Sequence, residues 1–82
     1  MERVMQHTLG ELRPGESALV TGFTLDEPDY RHQLLALGLT PGARVDVVRC
    51  APFGDPMQVR VRGTQLFLRK ADAKNIFVEK LG

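Results

Sequence analysis

His7, His32 and Cys50 are the side chains best suited to a transition metal, and Asp26, Asp29 and Asp55 could add carboxylate oxygens. Asp29 and His32 stand three residues apart, which puts both on one face if that stretch is helical. Two ligands do not close a site, and neither C-x-x-C nor H-x-x-x-H spacing occurs. No metal site is therefore expected within one chain. An alternative site, including one shared between two copies, would have to draw on His7, His32, Cys50 and Asp55. Catalytic chemistry has less to work with. Cys50 closes a valine-rich run, where a thiol packs and stays inert. Nucleophilic catalysis needs a base and an orienting group beside the nucleophile, and no such constellation is legible. The stretches G-T-Q-L and P-F-G-D-P lack the lysine and glycine spacing of a phosphate cradle. The expectation is a non-enzymatic protein without a cofactor.

Binding surfaces are better represented. Arg60, Arg62, Arg69 and Lys70 could line adjacent strands. Single-strand nucleic-acid binders interleave such charges with stacking aromatics, and only Phe67 lies close, at a position that could equally be core. Eleven basic against ten acidic residues leave a formal charge of +1, so nucleic acid is not the expected partner. With no Trp and one Tyr, an aromatic groove for proline-rich peptides is also disfavoured. Protein docking remains. Phe53 sits between Pro52 and Gly54 in a loop rich in chain breakers, where an exposed aromatic beside rigid prolines makes an interface anchor. The competing reading folds Phe53 back over a barrel end. Candidate docking residues are Pro52, Phe53, Asp55, Arg60, Arg62 and Arg69, with the helix Pro28 to Leu37 as a further contact surface.

The elements that must position these residues follow from periodicity. Asp26 or Glu27 can cap a helix opening at Pro28, where the missing N–H costs nothing. Tyr30, Leu34 and Leu37 recur at i, i+4 and i+7 as an apolar stripe. Gly38 can end the helix in a left-handed conformation, and Pro41 forbids its resumption. Before the helix, Arg13-Pro14-Gly15-Glu16 gives a turn, and Ala18 to Phe23 a first strand. After it, Ala43 to Cys50 reads as a second strand. Met57, Val59 and Val61 alternate with Gln58, Arg60 and Arg62 in a third strand, and a tight turn at Gly63 returns Leu66 and Leu68 to the same apolar face. A single helical turn at 69–74 precedes a closing strand at Ile76 to Val78. Residues 1–8 read as a loose lead-in and 9–82 as one domain. The fold class is mainly β, a small SH3-like barrel of about five strands with one short helix between strands 1 and 2. An OB-fold is the second choice.

Composition agrees with a small globular domain: 43% of residues are hydrophobic and 26% charged. A chain of this size buries only about 60–65% of its unfolded surface, and one cysteine cannot supply an internal disulfide. Rolling a sheet into a barrel is the remaining way to bury apolar area with few open edges. The segment M-E-R-V-M-Q-H-T lacks a signal-peptide core, and no apolar run approaches the roughly 18 residues of a membrane span. The expected location is the cytoplasm, without direct membrane insertion.

Several stretches, in order, resemble a known family. They are L-x-x-L-x-P-G-E at Leu9 to Glu16, and R-x-x-L-L-x-L-G-L-x-P-G-x-x-V-x-V-V-R from Arg31 to Arg49. A-P-F-G-D-P, V-R-G and L-x-L-R-x-x-D-A follow within Ala51 to Ala73. The pattern is similar to FeoA, the small cytosolic protein of the bacterial Feo ferrous-iron uptake system. It covers Leu9 to about Glu79. The resemblance implies an SH3-like barrel with an inserted helical segment and an accessory role through the cytosolic region of FeoB, the iron permease with a GTP-binding domain. Related domains occur in iron-dependent repressors, but no DNA-reading helix-turn-helix precedes this barrel. The matched positions are mainly structural glycines, prolines and apolar residues, so no catalytic residue is carried over. A contact with FeoB could hold the chain at the inner face of the membrane. Pairing of two copies into a homo-oligomer stays open.

Overall fold

The computed structural model describes residues 7–23, 28–53 and 55–81, apart from the side chain of Tyr30. Among the described residues, six strands form one antiparallel sheet. They are β1 (His7–Thr8), β2 (Ser17–Phe23), β3 (Arg44–Cys50), β4 (Met57–Val61), β5 (Thr64–Leu68) and β6 (Ile76–Lys80). Their order across the sheet is β1-β6-β2-β3-β4-β5. Two helices interrupt them: α1 (Pro28–Ala36) between β2 and β3, and the single-turn α2 (Lys70–Ala73) between β5 and β6. This is the SH3-like arrangement with its helix between the two long strands β2 and β3. The strand beyond the expected five is β1, whose two residues pair with Val78 and Phe77 of β6 inside the segment read as lead-in.

Alternation decides which face is buried. Ala18 and Val20 of β2, Val45 and Val47 of β3, and Met57, Val59 and Val61 of β4 point into one core, together with Leu68, Ile76 and Val78. Period-two placement of β-branched residues produces this because successive side chains leave opposite faces of the strand. Register slips at Val20/Gly22 against β6 and at Val47/Arg49 against β4 each insert an extra residue. Such bulges bend the strand and raise its twist, so the sheet can roll around the core. Leu9 and Leu12, from the 3-10 turn Leu9–Glu11 and the residue after it, enter the same core, as does Ala73 of α2.

Helix α1 ends as the sequence predicts. Gly38 has φ +97°, its N–H donates to the Leu35 carbonyl at 3.0 Å, and the Leu39 N–H donates to the Leu34 carbonyl at 3.1 Å. That pair of bonds is a Schellman close, and its apolar contact is supplied by Leu34 and Leu39, both buried. The stripe itself is narrower than expected. Leu34 is buried, but Leu37 is 42% exposed because it lies in the closing turn rather than over the core. The caps at Asp26 and Glu27, and the Tyr30 side chain, lie outside the described residues. The hairpin β4–β5 closes through Arg62 (φ +52°) and Gly63 (φ +81°), a two-residue turn with both central residues at positive φ. Arg62 then reaches from that turn to donate to Thr40 Oγ1 at 3.0 Å, tying the hairpin to the segment after α1.

A Cβ added at Gly38 would meet Val61 Cγ1 at 3.3 Å as well as suffering the left-handed backbone. Gly38→Ala is expected to destabilise the fold by about 1–2 kcal/mol. Urea denaturation of the variant beside the parent measures it.

Candidate partner-docking site

The loop from Ala51 to Pro56 leaves β3 and re-enters at β4, closed by the Ala51 N–H donating to the Pro56 carbonyl at 3.0 Å. Phe53 stands on it at 94% exposure, so the reading in which it folds back over the barrel does not hold. Pro52 beside it is exposed too. Asp55 turns the other way. Its Oδ1 accepts from the Lys70 backbone N–H at 3.1 Å, at the first turn of α2, whose preceding residue Arg69 offers no side-chain cap. A carboxylate there answers an orphan donor and the positive end of the helix. This ties the loop to α2 across the end of the hairpin.

Asp55, Pro56, Phe67 and Arg69 together line a shallow pocket of about 290 Å³. The side chain of Phe67 is the residue that sequence reasoning left undecided. It is 70% exposed, not core. The reason is parity: Leu66 and Leu68 take the inner face of β5, so Phe67 must take the outer one. The alternation already visible in the sequence carried that signal. The candidate docking residues therefore divide. Pro52, Phe53, Asp55 and Arg69 gather at the open end of the β4–β5 hairpin, and Phe67 joins them. Arg60 lies toward the turn end of β4, opposite Gln65. Arg62 lies in the turn at the far end, about 15 Å away by the rise of a five-residue strand. A second shallow pocket, of about 220 Å³, lies on α1 among Pro28, Arg31, His32 and Leu35.

The metal candidates are not brought together. His7 on β1 shares a hydrogen bond between Nδ1 and Glu11 Oε1 at 3.2 Å, His32 is exposed on α1, and Cys50 is half-buried against the core at the end of β3. Asp55 is engaged with α2. Among the described residues no three His, Cys, Asp or Glu side chains form a metal-binding group. Asp26 lies outside the described residues.

Three carboxylates are held below their usual range. The Thr8 N–H, followed by His7, lowers Glu11; the Arg13 N–H, followed by Lys80, lowers Glu16. Asp46, on the outer face of β3, is lowered by the hydroxyl of Ser17 and then by Arg44, with Arg60 on the neighbouring strand adding to the effect. Asp46 accordingly takes up part of the Arg60 field, whereas Arg69 and Lys70 have no ion-pair partner among the described residues.

Comparison with known proteins places this geometry. A family model, the FeoA domain, matches residues 7–80. The chain belongs to the FeoA family. FeoA from Chlorobium tepidum is 41% identical, with a TM-score of 0.84 over 93% of this chain and 71% of that one. FeoA from Stenotrophomonas maltophilia, solved as a zinc complex and described as a prokaryotic SH3 domain protein, is 32% identical, with a TM-score of 0.77 over 89% of each chain. An Fe(2+) transport protein A/Fe(2+) transporter FeoB fusion protein from Porphyromonas gingivalis is 34% identical over 71 residues, covering 87% of this chain. The chain spans only 8% of the length of that fusion protein. Among the described residues no helix is long and apolar enough to cross a membrane.

Two outcomes test the site's physical account. Asp55→Ala is expected to cost about 1 kcal/mol through the lost cap on α2, measured by urea denaturation. Lowered carboxylates contribute stability that is complete above their ordinary values, 4.5 for Glu11 and Glu16 and 3.8 for Asp46. That contribution disappears as pH falls through the lower folded-state values. Stability measured against pH should stay level down to the ordinary values and fall from there toward the lower folded-state ones, and Asp46→Asn should make the fall shallower.

Proposed function

We propose that the chain is a non-enzymatic cytoplasmic accessory protein of ferrous-iron uptake that acts by docking on the cytosolic region of FeoB. The carrying observation is the Porphyromonas gingivalis fusion, in which a stretch 34% identical to this one shares a polypeptide with the transporter. Fusion holds two partners at high effective concentration, and separate chains must replace that tether with a binding surface. The open end of the β4–β5 hairpin supplies Phe53 as an aromatic anchor and Arg69 as a charge, and Arg60 on the outer face of β4 adds a second charge that orients encounter. Differential affinity for one nucleotide or conformational state of FeoB is the mechanism, because a domain can shift an equilibrium only as far as it prefers one state.

A second reading, a ferrous-iron carrier or sensor with a site between copies, is favoured by the zinc complex of the Stenotrophomonas maltophilia relative. Calorimetry with ferrous iron under anaerobic conditions separates the two. Micromolar binding lost in His32→Ala supports the carrier and counts against a pure adaptor.

For the adaptor, a pull-down of the cytosolic part of FeoB should depend on whether GDP, a non-hydrolysable GTP analogue or neither is present. Phe53→Ala, and separately Arg60→Glu with Arg69→Glu, should each weaken the preferred complex roughly tenfold or more. Unchanged affinity in both variants removes this surface, and no binding in any state removes the FeoB docking model.

A further inference from the structure

Among the described residues, strand β5 is the outermost strand of the sheet and pairs only with β4. The other edge strand, β1, has two residues among those described. By contrast, β5 has five residues, contains no proline or lysine, and pairs with β4 without a register slip from Val61↔Thr64 to Met57↔Leu68. The two-residue turn makes Val61 and Thr64 a hydrogen-bonded pair, and alternation then makes Val59↔Leu66 and Met57↔Leu68 hydrogen-bonded as well. Gln65 and Phe67 therefore direct their backbone N–H and C=O away from β4, to the open edge. Among the described residues nothing in the sheet answers them.

The two faces beside that edge specify what would fit. Leu66, on the inner face, is only partly buried although it packs against the core, so an added apolar side chain would extend the core over it. The outer face carries Arg60 and Phe67, with Arg69 two residues past Phe67 on the same side. Arg69 and the adjoining Lys70 lack ion-pair partners among the described residues, and the nearby Asp55 carboxylate is engaged at α2. A second copy pairing through its own β5 would bring these cations together, and like charges across a strand pair repel. An acidic strand is the complementary occupant.

We propose that the open edge of β5 accepts an extended acidic segment, alternating carboxylate with apolar side chains, as an added strand. Main-chain bonds to Gln65 and Phe67 give the addition its geometry, the apolar side chains cover Leu66, and the carboxylates meet Arg60 and Arg69. This deepens the docking reading above; it rests on that reading for its biological setting but not for its test.

The test is an amide-resolved NMR titration of the whole chain with the blocked peptide Glu-Val-Glu-Phe-Glu-Val-Glu, beside a counterpart carrying Lys at every Glu. The expected result is slowed exchange of the Gln65 and Phe67 amides, with the acidic peptide binding roughly tenfold or more tightly than the basic one. Gln65→Pro should abolish the effect, since it removes an outward N–H while sparing the ladder to β4. If that variant does not fold, the exchange pattern of the parent decides alone. No response, equal binding of both peptides, or a response confined to α1 overturns the proposal. Protection of the same amides on raising the protein concentration without peptide also overturns it, in favour of a second copy. FeoB binding that leaves the β5 amides unprotected removes this proposal and keeps the adaptor; peptide addition without FeoB binding does the reverse.

Discussion

The connection from β5 to β6 constrains everything else in the molecule. In a flat sheet the order β6-β2-β3-β4-β5 would hold those two strands roughly 19 Å apart, four spacings of about 4.8 Å. Only residues 69–75 join them, and Lys70–Ala73 are wound into a helical turn that advances about 1.5 Å per residue. Spanning the flat distance would pull the rest of the connection nearly taut. Ala73 is instead fully buried, and the backbone of Lys74 lies within van der Waals reach of Gly10 in the 3-10 turn. The sheet must therefore roll, and the bulges in β2 and β3 give it the bend to do so. Burial follows from the roll: apolar side chains from all strands except β1 meet in one core that no disulfide reinforces.

The same constraint shapes the proposed docking surface. Because α2 must cross the end of the hairpin, its first turn lands beside the 51–56 loop, and Asp55 fastens the two together. Phe53, Phe67 and Arg69 are left exposed beside this junction. Rolling also leaves β5 as an edge rather than pairing it with β1. Among the described residues, an open edge, an aromatic loop and cations without ion-pair partners together make a surface suited to another polypeptide.

Much of this was legible in the sequence, for physical reasons that can be named. Valines at alternate positions marked β3 and β4, Gly38 marked the Schellman close, and Gly63 marked the hairpin turn, because each depends on local chemistry alone. The strand at His7–Thr8 was not legible. Two residues carry no period, and their pairing with β6 is set by a partner some seventy positions away. The exposure of Leu37 was missed because a helical period was extended one turn too far, into the closing residues. Asp55 appeared as a metal or docking candidate because its sequence neighbours say nothing of Lys70; only the fold brings them together. The divided placement of Arg62 and Arg69 has the same origin.

Hydrogen exchange across the whole chain, alone and with the cytosolic part of FeoB in the nucleotide state that binds, tests the central claim most directly. Exchange is expected to slow along β5 and in the loop 51–56 while the exposed face of α1 keeps its free rate. Protection centred on α1, or no change anywhere at saturating partner, would contradict it.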